Sequence, residues 1–165
     1  MKIVEDRFFN EIIGHLVLGV DMSDQSLVYI KYGREVTREL EETPLHKEVK
    51  KQLSDYFRKK LTEFDIPYKF IQGTPFQRKV WEALSEIPYG EVVSYQHIAK
   101  KIGNPGAFRA VGNANNKNPI PIVIPCHRVV NTNNYLGGYA PGPDYKIKLL
   151  NLEGLNVADG KIITD

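Results

Sequence analysis

Ser94-Tyr95-Gln96-His97-Ile98-Ala99-Lys100-Lys101-Ile102-Gly103-Asn104-Pro105-Gly106-Ala107-Phe108-Arg109-Ala110-Val111-Gly112-Asn113-Ala114-Asn115-Asn116 reads as two short helices across a tight turn. Ser94 is placed to cap the first helix, which runs from Tyr95 to Ile102 and stops at Gly103. Asn104-Pro105-Gly106 makes the turn, and the second helix covers about Ala107 to Asn116. The pattern is that of a helix-turn-helix, which many unrelated helix pairs share. The second helix is built from small and amide side chains with one Arg and no acid, although Gly and Asn both weaken a helix. Its low profile suits a partner whose backbone must come close. Tight packing against neighbouring helices would use the same residues, so composition leaves both readings open.

Upstream, Gln72-Gly73-Thr74-Pro75 punctuates the chain and sets a domain boundary, with 1–72 as one domain and 73–165 as the other. Thr74 and Gln77 fit a capping box with Pro75 at the first helical position. That helix turns Phe76, Val80, Trp81, Leu84 and Ile87 inward and ends at Pro88-Tyr89-Gly90, before a short extended Val92-Val93. In the amino-terminal part, His15–Met22 and Leu27–Tyr32 are rich in β-formers around the turn Ser23-Asp24-Gln25-Ser26, which predicts a hairpin. Thr43-Pro44 then starts an amphipathic helix through Leu45, Val49, Leu53, Tyr56, Phe57 and Leu61, and the chain to Ile71 is expected to return as a strand. His15 and His46 have no partners at ligand spacing and are assigned structural or surface roles.

Downstream, Asn118-Pro119-Ile120-Pro121-Ile122-Val123-Ile124-Pro125 predicts a stiff extended segment leading to Cys126. This is the only cysteine, which excludes an intramolecular disulfide and a multi-cysteine metal site. A lone thiol is commonly buried and inert. The adjacent His127 and Arg128 favour the other reading, because a neighbouring cation lowers a thiol pKa and the thiolate is the nucleophile. After a polar turn at Asn131–Asn134 and a Gly/Pro-rich loop around Tyr139, a last helix is expected from Asp144 to about Glu153, closed by Gly154. Beyond Val157 the tail is polar and expected to be mobile.

The 165 residues are 42% hydrophobic and 25% charged with a net charge of +2, ordinary for a soluble globular protein and permissive of a nucleic-acid partner. No secretory signal pattern opens the chain, and no apolar run approaches the ~20 residues of a membrane helix. The unpaired thiol fits a reducing compartment, so a cytoplasmic location is expected, or a nuclear one in a eukaryote.

Pro125-Cys126-His127-Arg128-Val129 resembles the active-site signature of the O6-alkylguanine-DNA alkyltransferases, the suicide DNA repair proteins. The family's other motifs occur in its order: Thr74-Pro75-Phe76-Gln77 with Val80-Trp81, Gly90-Glu91-Val92 with Ser94-Tyr95, Arg109-Ala110-Val111-Gly112, Asn118-Pro119, Gly137-Gly138-Tyr139, and Leu149-Leu150 with Glu153-Gly154. They span roughly half of the chain, from Thr74 to Gly154.

The resemblance implies an α/β amino-terminal domain (small antiparallel sheet plus helix, RNase H-like) and a mainly α, winged-helix-like carboxy-terminal domain with a helix-turn-helix. It implies a monomer acting on double-stranded DNA, with O6-alkylguanine as substrate and O4-alkylthymine as a second candidate. The second helix enters the minor groove, the damaged base is flipped out beside the cysteine, and Arg109 fills the space it leaves. Ala110, Gly112 and Asn113 then face the groove, while Val129, Tyr139 and Ala140 join the base pocket. Cys126 is the alkyl acceptor, His127 its base through a water, Glu153 the group that orients His127, and Tyr95 a proton donor to the leaving guanine. Asn118 ties the recognition helix to the active-site strand, and Arg128 packs or pairs structurally. No cofactor is implied, and no metal site or structural zinc is expected. Ala140 stands where many members have Ser, and Asn113 and Asn115 replace a common Gly and Met.

Overall fold

Strands β1 (Ile3–Asn10), β2 (Gly14–Asp21) and β3 (Ser26–Tyr32) form an antiparallel meander in that order in the computed structural model, which describes residues 1–164. Val4 pairs with Val20 and Leu18 with Ile30, and the register shifts at Gly19/Val20. The charged run Glu5-Asp6-Arg7 hides β1 from a reading based on apolar alternation. Glu5 is nevertheless fully buried, because it accepts hydrogen bonds from Tyr29 Oη at 2.5 Å, Thr37 N at 2.7 Å and Arg38 N at 2.9 Å. Burial works against its ionisation, but these bonds prevail and hold the carboxyl at about 2.

Helix α1 (Pro44–Phe57) starts where Thr43-Pro44 places it and buries Leu45, Val49, Leu53, Tyr56 and Phe57. His46 is buried rather than exposed. Its Nδ1 accepts from Thr43 N at 3.0 Å, which leaves Nε2–H to donate to Leu18 O at 3.0 Å, so it completes the cap and ties α1 to β2. The expected strand before Ile71 does not form. Only an isolated bridge joins Leu27 to Tyr68, and Pro67 has no N–H with which to extend a ladder. Residues Met1–Ile71 make one compact unit, and a second begins at Gln72.

The second unit contains α2 (Pro75–Leu84), β4 (Val93–Ser94), α3 (Tyr95–Lys101), α4 (Phe108–Asn116), β5 (Val129–Val130), α5 (Pro143–Leu152) and a hairpin of β6 (Asn156–Ala158) and β7 (Lys161–Ile163). Thr74 and Gln77 close the capping box of α2, and Ser94 caps α3. Helices α2, α3 and α4 pack on one another around Val80, Trp81, Leu84, Ile98, Val111 and Ala114, all nearly or fully buried. The Trp81 indole N–H donates to Ala114 O at 2.8 Å, so the largest buried side chain has its polar atom satisfied. β4 and β5 pair in parallel, Val93 with Val129 and Ser94 with Val130, and so bring the start of α3 beside the chain that follows Cys126.

Two expectations are corrected here. The segment 118–125 is not extended but tightly turned: Val123 N donates to Pro121 O at 2.9 Å, Ile124 N to Ile120 O at 2.9 Å, and Cys126 N to Ile124 O at 2.8 Å. Ile122 bridges the first of these with φ at 74°, a γ-turn rarely adopted by a β-branched residue. The burial of Ile120, Ile122 and Ile124 rewards the turn and holds it. The tail beyond Val157 forms β6–β7 because Ile162 buries itself against Val130, Leu136 and Leu150. Among the described residues no helix is long and apolar enough to cross a membrane.

Candidate active site

Cys126 opens a 3₁₀ turn, Cys126–Arg128, which faces α5 and α2. The thiol is 4% exposed, and His127 is fully buried. Their adjacency in sequence suggested a cation lowering the thiol pKa, but the turn sends both basic side chains elsewhere. His127 Nε2 lies 2.7 Å from Glu153 Oε2, and Arg128 donates from Nε to Glu153 Oε1 at 2.8 Å and from Nη2 to Oε2 at 3.0 Å. Gly90 N adds a fourth donor, to Oε1 at 3.0 Å. Burial pushes the Cys126 thiol up to about 11, against smaller lowering effects from the Asn118 side chain and the Lys146 charge. The thiol therefore rests protonated and needs a base in the reactive step.

His127, next in sequence, is the candidate base. Burial depresses its pKa, and this outweighs the raising effect of Glu153, so the ring is neutral near pH 7. Burial would raise the pKa of Glu153 itself, but the His127 and Arg128 contacts hold the carboxyl well below the usual carboxylate range. An ionised Glu153 requires the neutral ring to carry its proton on Nε2, leaving Nδ1 as a lone pair. Nδ1 is one of two buried side-chain polar atoms without a hydrogen-bond partner among the described residues.

Tyr95, 9% exposed, begins α3. Burial raises its pKa, an ionised Cys126 would raise it further, and Tyr95 is a neutral O–H donor. A Cβ on Gly137, where φ is 70°, would stand 2.5 Å from Tyr95 Oη. The glycine therefore supplies a backbone conformation that other residues rarely adopt and also makes room for the phenol. Tyr95, Arg109, Gly112, Asn113, Gly137 and Gly138 line an open cleft of ≈ 330 Å³. Arg109, Ala110 and Asn113 project outward from α4, while Val111, Ala114 and Asn115 pack inward, so one face is used for packing and the other is left exposed. Val129 and Tyr139 are buried and Ala140 is exposed.

Asn118 braces the turned segment by donating from Nδ2 to Ile124 O at 2.8 Å and accepting from Ile120 N at 3.0 Å. The bond from α4 itself to the active-site turn comes from Asn115, whose Nδ2 donates to Cys126 O at 3.2 Å. Lys146 on α5 is a further residue that sequence reasoning missed. Fully buried, its ammonium donates to the carbonyls of Val129 (2.6 Å), Leu136 and Gly138 (3.3 Å), joining β5 to the Gly137-Gly138 loop. Burial lowers its pKa to about 8, and only an ionised Cys126 would offset this. The available clue was a Lys on the helix face shared with Leu149 and Leu150, at i+3 and i+4, where a cation is buried only with partners. Among the described residues no group of three or more His, Cys, Asp or Glu is placed to hold a metal ion.

A buried thiol one residue before a carboxylate-held imidazole, in the unit whose helix α4 presents a low-profile face and an open cleft, marks a candidate cysteine-dependent protein. Residues 75–155 match the family described as 6-O-methylguanine DNA methyltransferase, DNA binding domain. The methylated-DNA–protein-cysteine methyltransferase of Methanosarcina acetivorans is 46% identical over 152 residues, covering 88% of this chain and 96% of that relative. The constitutive methylated-DNA–protein-cysteine methyltransferase of Bacillus subtilis is 50% identical over 120 residues, 72% of each chain. Among solved structures, Mycobacterium tuberculosis OGT in complex with DNA superposes with a TM-score of 0.80 at 42% identity, over 89% of this chain and 90% of that one. The chain belongs to the methylated-DNA–protein-cysteine methyltransferase family.

Proposed function

We propose that this protein repairs DNA by moving the alkyl group of O6-alkylguanine onto Cys126, once per molecule. His127 Nδ1 takes the thiol proton, directly or through a water, and the sulfur attacks the alkyl carbon. The carbon–O6 bond breaks, and its electron pair returns to the guanine ring. Tyr95 protonates the departing guanine, and the proton held by His127 then returns through water to the Tyr95 phenolate, so the proton lost by the thiol ends on the guanine. Glu153 stabilises the imidazolium and fixes its tautomer. The product is a thioether, which has no easy hydrolysis and leaves the protein spent. The observation that carries this reading is the lone buried thiol one residue before an imidazole whose Nε2 is held by Glu153 and whose Nδ1 has no partner among the described residues.

The exposed residues Arg109, Ala110 and Asn113 favour entry of α4 into the minor groove, where a shallow surface fits and Arg109 replaces the flipped guanine. In this reading the first unit is RNase H-like and the second winged-helix-like. Val129, Tyr139 and Ala140 line the base pocket, and the protein works as a monomer, in the cytoplasm or, in a eukaryote, the nucleus. O4-alkylthymine is a second substrate.

Incubation with duplex DNA carrying O6-methylguanine, followed by intact-mass measurement and peptide mapping, tests the proposal. One methyl per protein on Cys126, with restored guanine and no second round, is expected. Repeated turnover would identify a hydrolase, and binding without modification would identify a lesion binder. Cys126→Ala should retain lesion binding and lose transfer.

A further inference from the structure

Phe108, the first residue of α4, is 39% exposed, and its ring centroid lies 6.0 Å from the Arg109 guanidinium. Single exposed apolar residues are ordinary and need no explanation. Phe108 differs in its position and its partner. It lines the same cleft as Tyr95 and Arg109, and its ring sits at cation–π distance from the side chain assigned to the vacated base position. Extruding a nucleotide leaves a gap whose bordering base pairs lose a stacking partner. A guanidinium can fill the gap, but consecutive helical residues point ~100° apart, so the ring beside it must lie outside that gap. Aromatic and aliphatic side chains enter the minor groove as wedges that unstack adjacent steps.

We infer that Phe108 enters the step next to the gap and stacks on the outer face of the bordering base pair, so that Phe108 and Arg109 act as a two-residue wedge. The inference rests on the repair reading above. Phe108 is a positioning residue: it touches the duplex and holds the extruded state open, while the chemistry stays at Cys126. The Arg109 contact restrains both side chains before DNA arrives and lessens the entropy lost on insertion.

The test compares wild type, Phe108→Ala and Phe108→Trp at saturating protein in single-turnover transfer from an O6-methylguanine duplex and from free O6-benzylguanine. A 2-aminopurine beside the lesion reports unstacking. Phe108→Ala is expected to lose about tenfold on the duplex, the scale of one base–aromatic contact, with a weaker 2-aminopurine response. Phe108→Trp should keep near wild-type rates, and all three proteins should react alike with the free base. Equal duplex rates for wild type and Phe108→Ala would overturn the inference, as would equal losses on both substrates. If wild type takes no alkyl group from either substrate, the repair reading falls and the inference with it. Transfer by wild type with no loss in Phe108→Ala refutes the wedge alone.

Discussion

Replacing Glu153 with Gln isolates the electrostatics of the site, because the shape is conserved and the charge is lost. Four donors converge on two oxygens: Gly90 N and Arg128 Nε on Oε1, His127 Nε2 and Arg128 Nη2 on Oε2. An amide has one oxygen and one NH2. Whichever way it is turned, two of the four donors meet another donor. Arg128 is 6% exposed and would keep its charge without a counter-ion, a change that typically costs about 3–5 kcal/mol. For a chain of this length that is a fall of about 6–20 °C in Tm. Chemistry should suffer separately. An amide N–H facing His127 favours the tautomer protonated on Nδ1, which cannot accept the thiol proton. Loss of general-base assistance predicts a transfer rate lower by about 10²–10⁴-fold. Thermal melting and single-turnover transfer from an O6-methylguanine duplex at a temperature where the variant remains folded measure the two effects independently. A variant that melts and transfers like wild type would show that Glu153 neither balances Arg128 nor sets the His127 tautomer.

Other perturbations reach different parts of the site. Gly137→Ala places a methyl against Tyr95 Oη in a backbone region unfavourable to alanine, so transfer should fall by at least tenfold with a measurable loss of Tm; wild-type kinetics would mean that Tyr95 moves aside freely. Lys146→Met removes a costly buried charge but leaves the carbonyls of Val129, Leu136 and Gly138 without their donor. The two effects oppose each other in stability, and the loss should appear as faster amide hydrogen exchange across 136–140; unchanged protection there would contradict the strut. Arg109→Ala should slow repair in duplex far more than reaction with free O6-benzylguanine, and equal losses would refute its role in the flipped state. Stability should decline with acid in two stages. The depressed pKa of buried His127 withdraws stability as pH falls below its unfolded value of ~6.5, and Glu5 (about 2) and Glu153 (lower still) lose theirs below ~4.3. A Tm constant from pH 7 to 3 would exclude this coupling.

Local chemistry is legible in the chain wherever a residue acts on its near neighbours. Thr43-Pro44, Thr74-Pro75 with Gln77, and Ser94 start helices because a cap is completed within three residues. Cys126 with His127, and the unusual composition of α4, mark the candidate site by residue identity alone. Structure stabilised by distant partners was hidden. β1 carries a buried Glu5 satisfied by residues 24 to 33 positions away, and β6–β7 depends on Ile162 reaching Val130 and Leu150. The turned path of 118–125 depends on burying three isoleucines, and proline content alone suggested extension.

The sequence by itself determined which groups are candidates to react: one thiol, one adjacent imidazole, and a carboxylate and phenol drawn from family motifs. Tertiary structure decided their protonation states. The 3₁₀ turn directs His127 and Arg128 to Glu153, and burial keeps the thiol protonated and the imidazole neutral. Proximity along the chain cannot fix these states, because a pKa depends on desolvation and on where charges lie in space, and both are set only when α5 and the turn pack together.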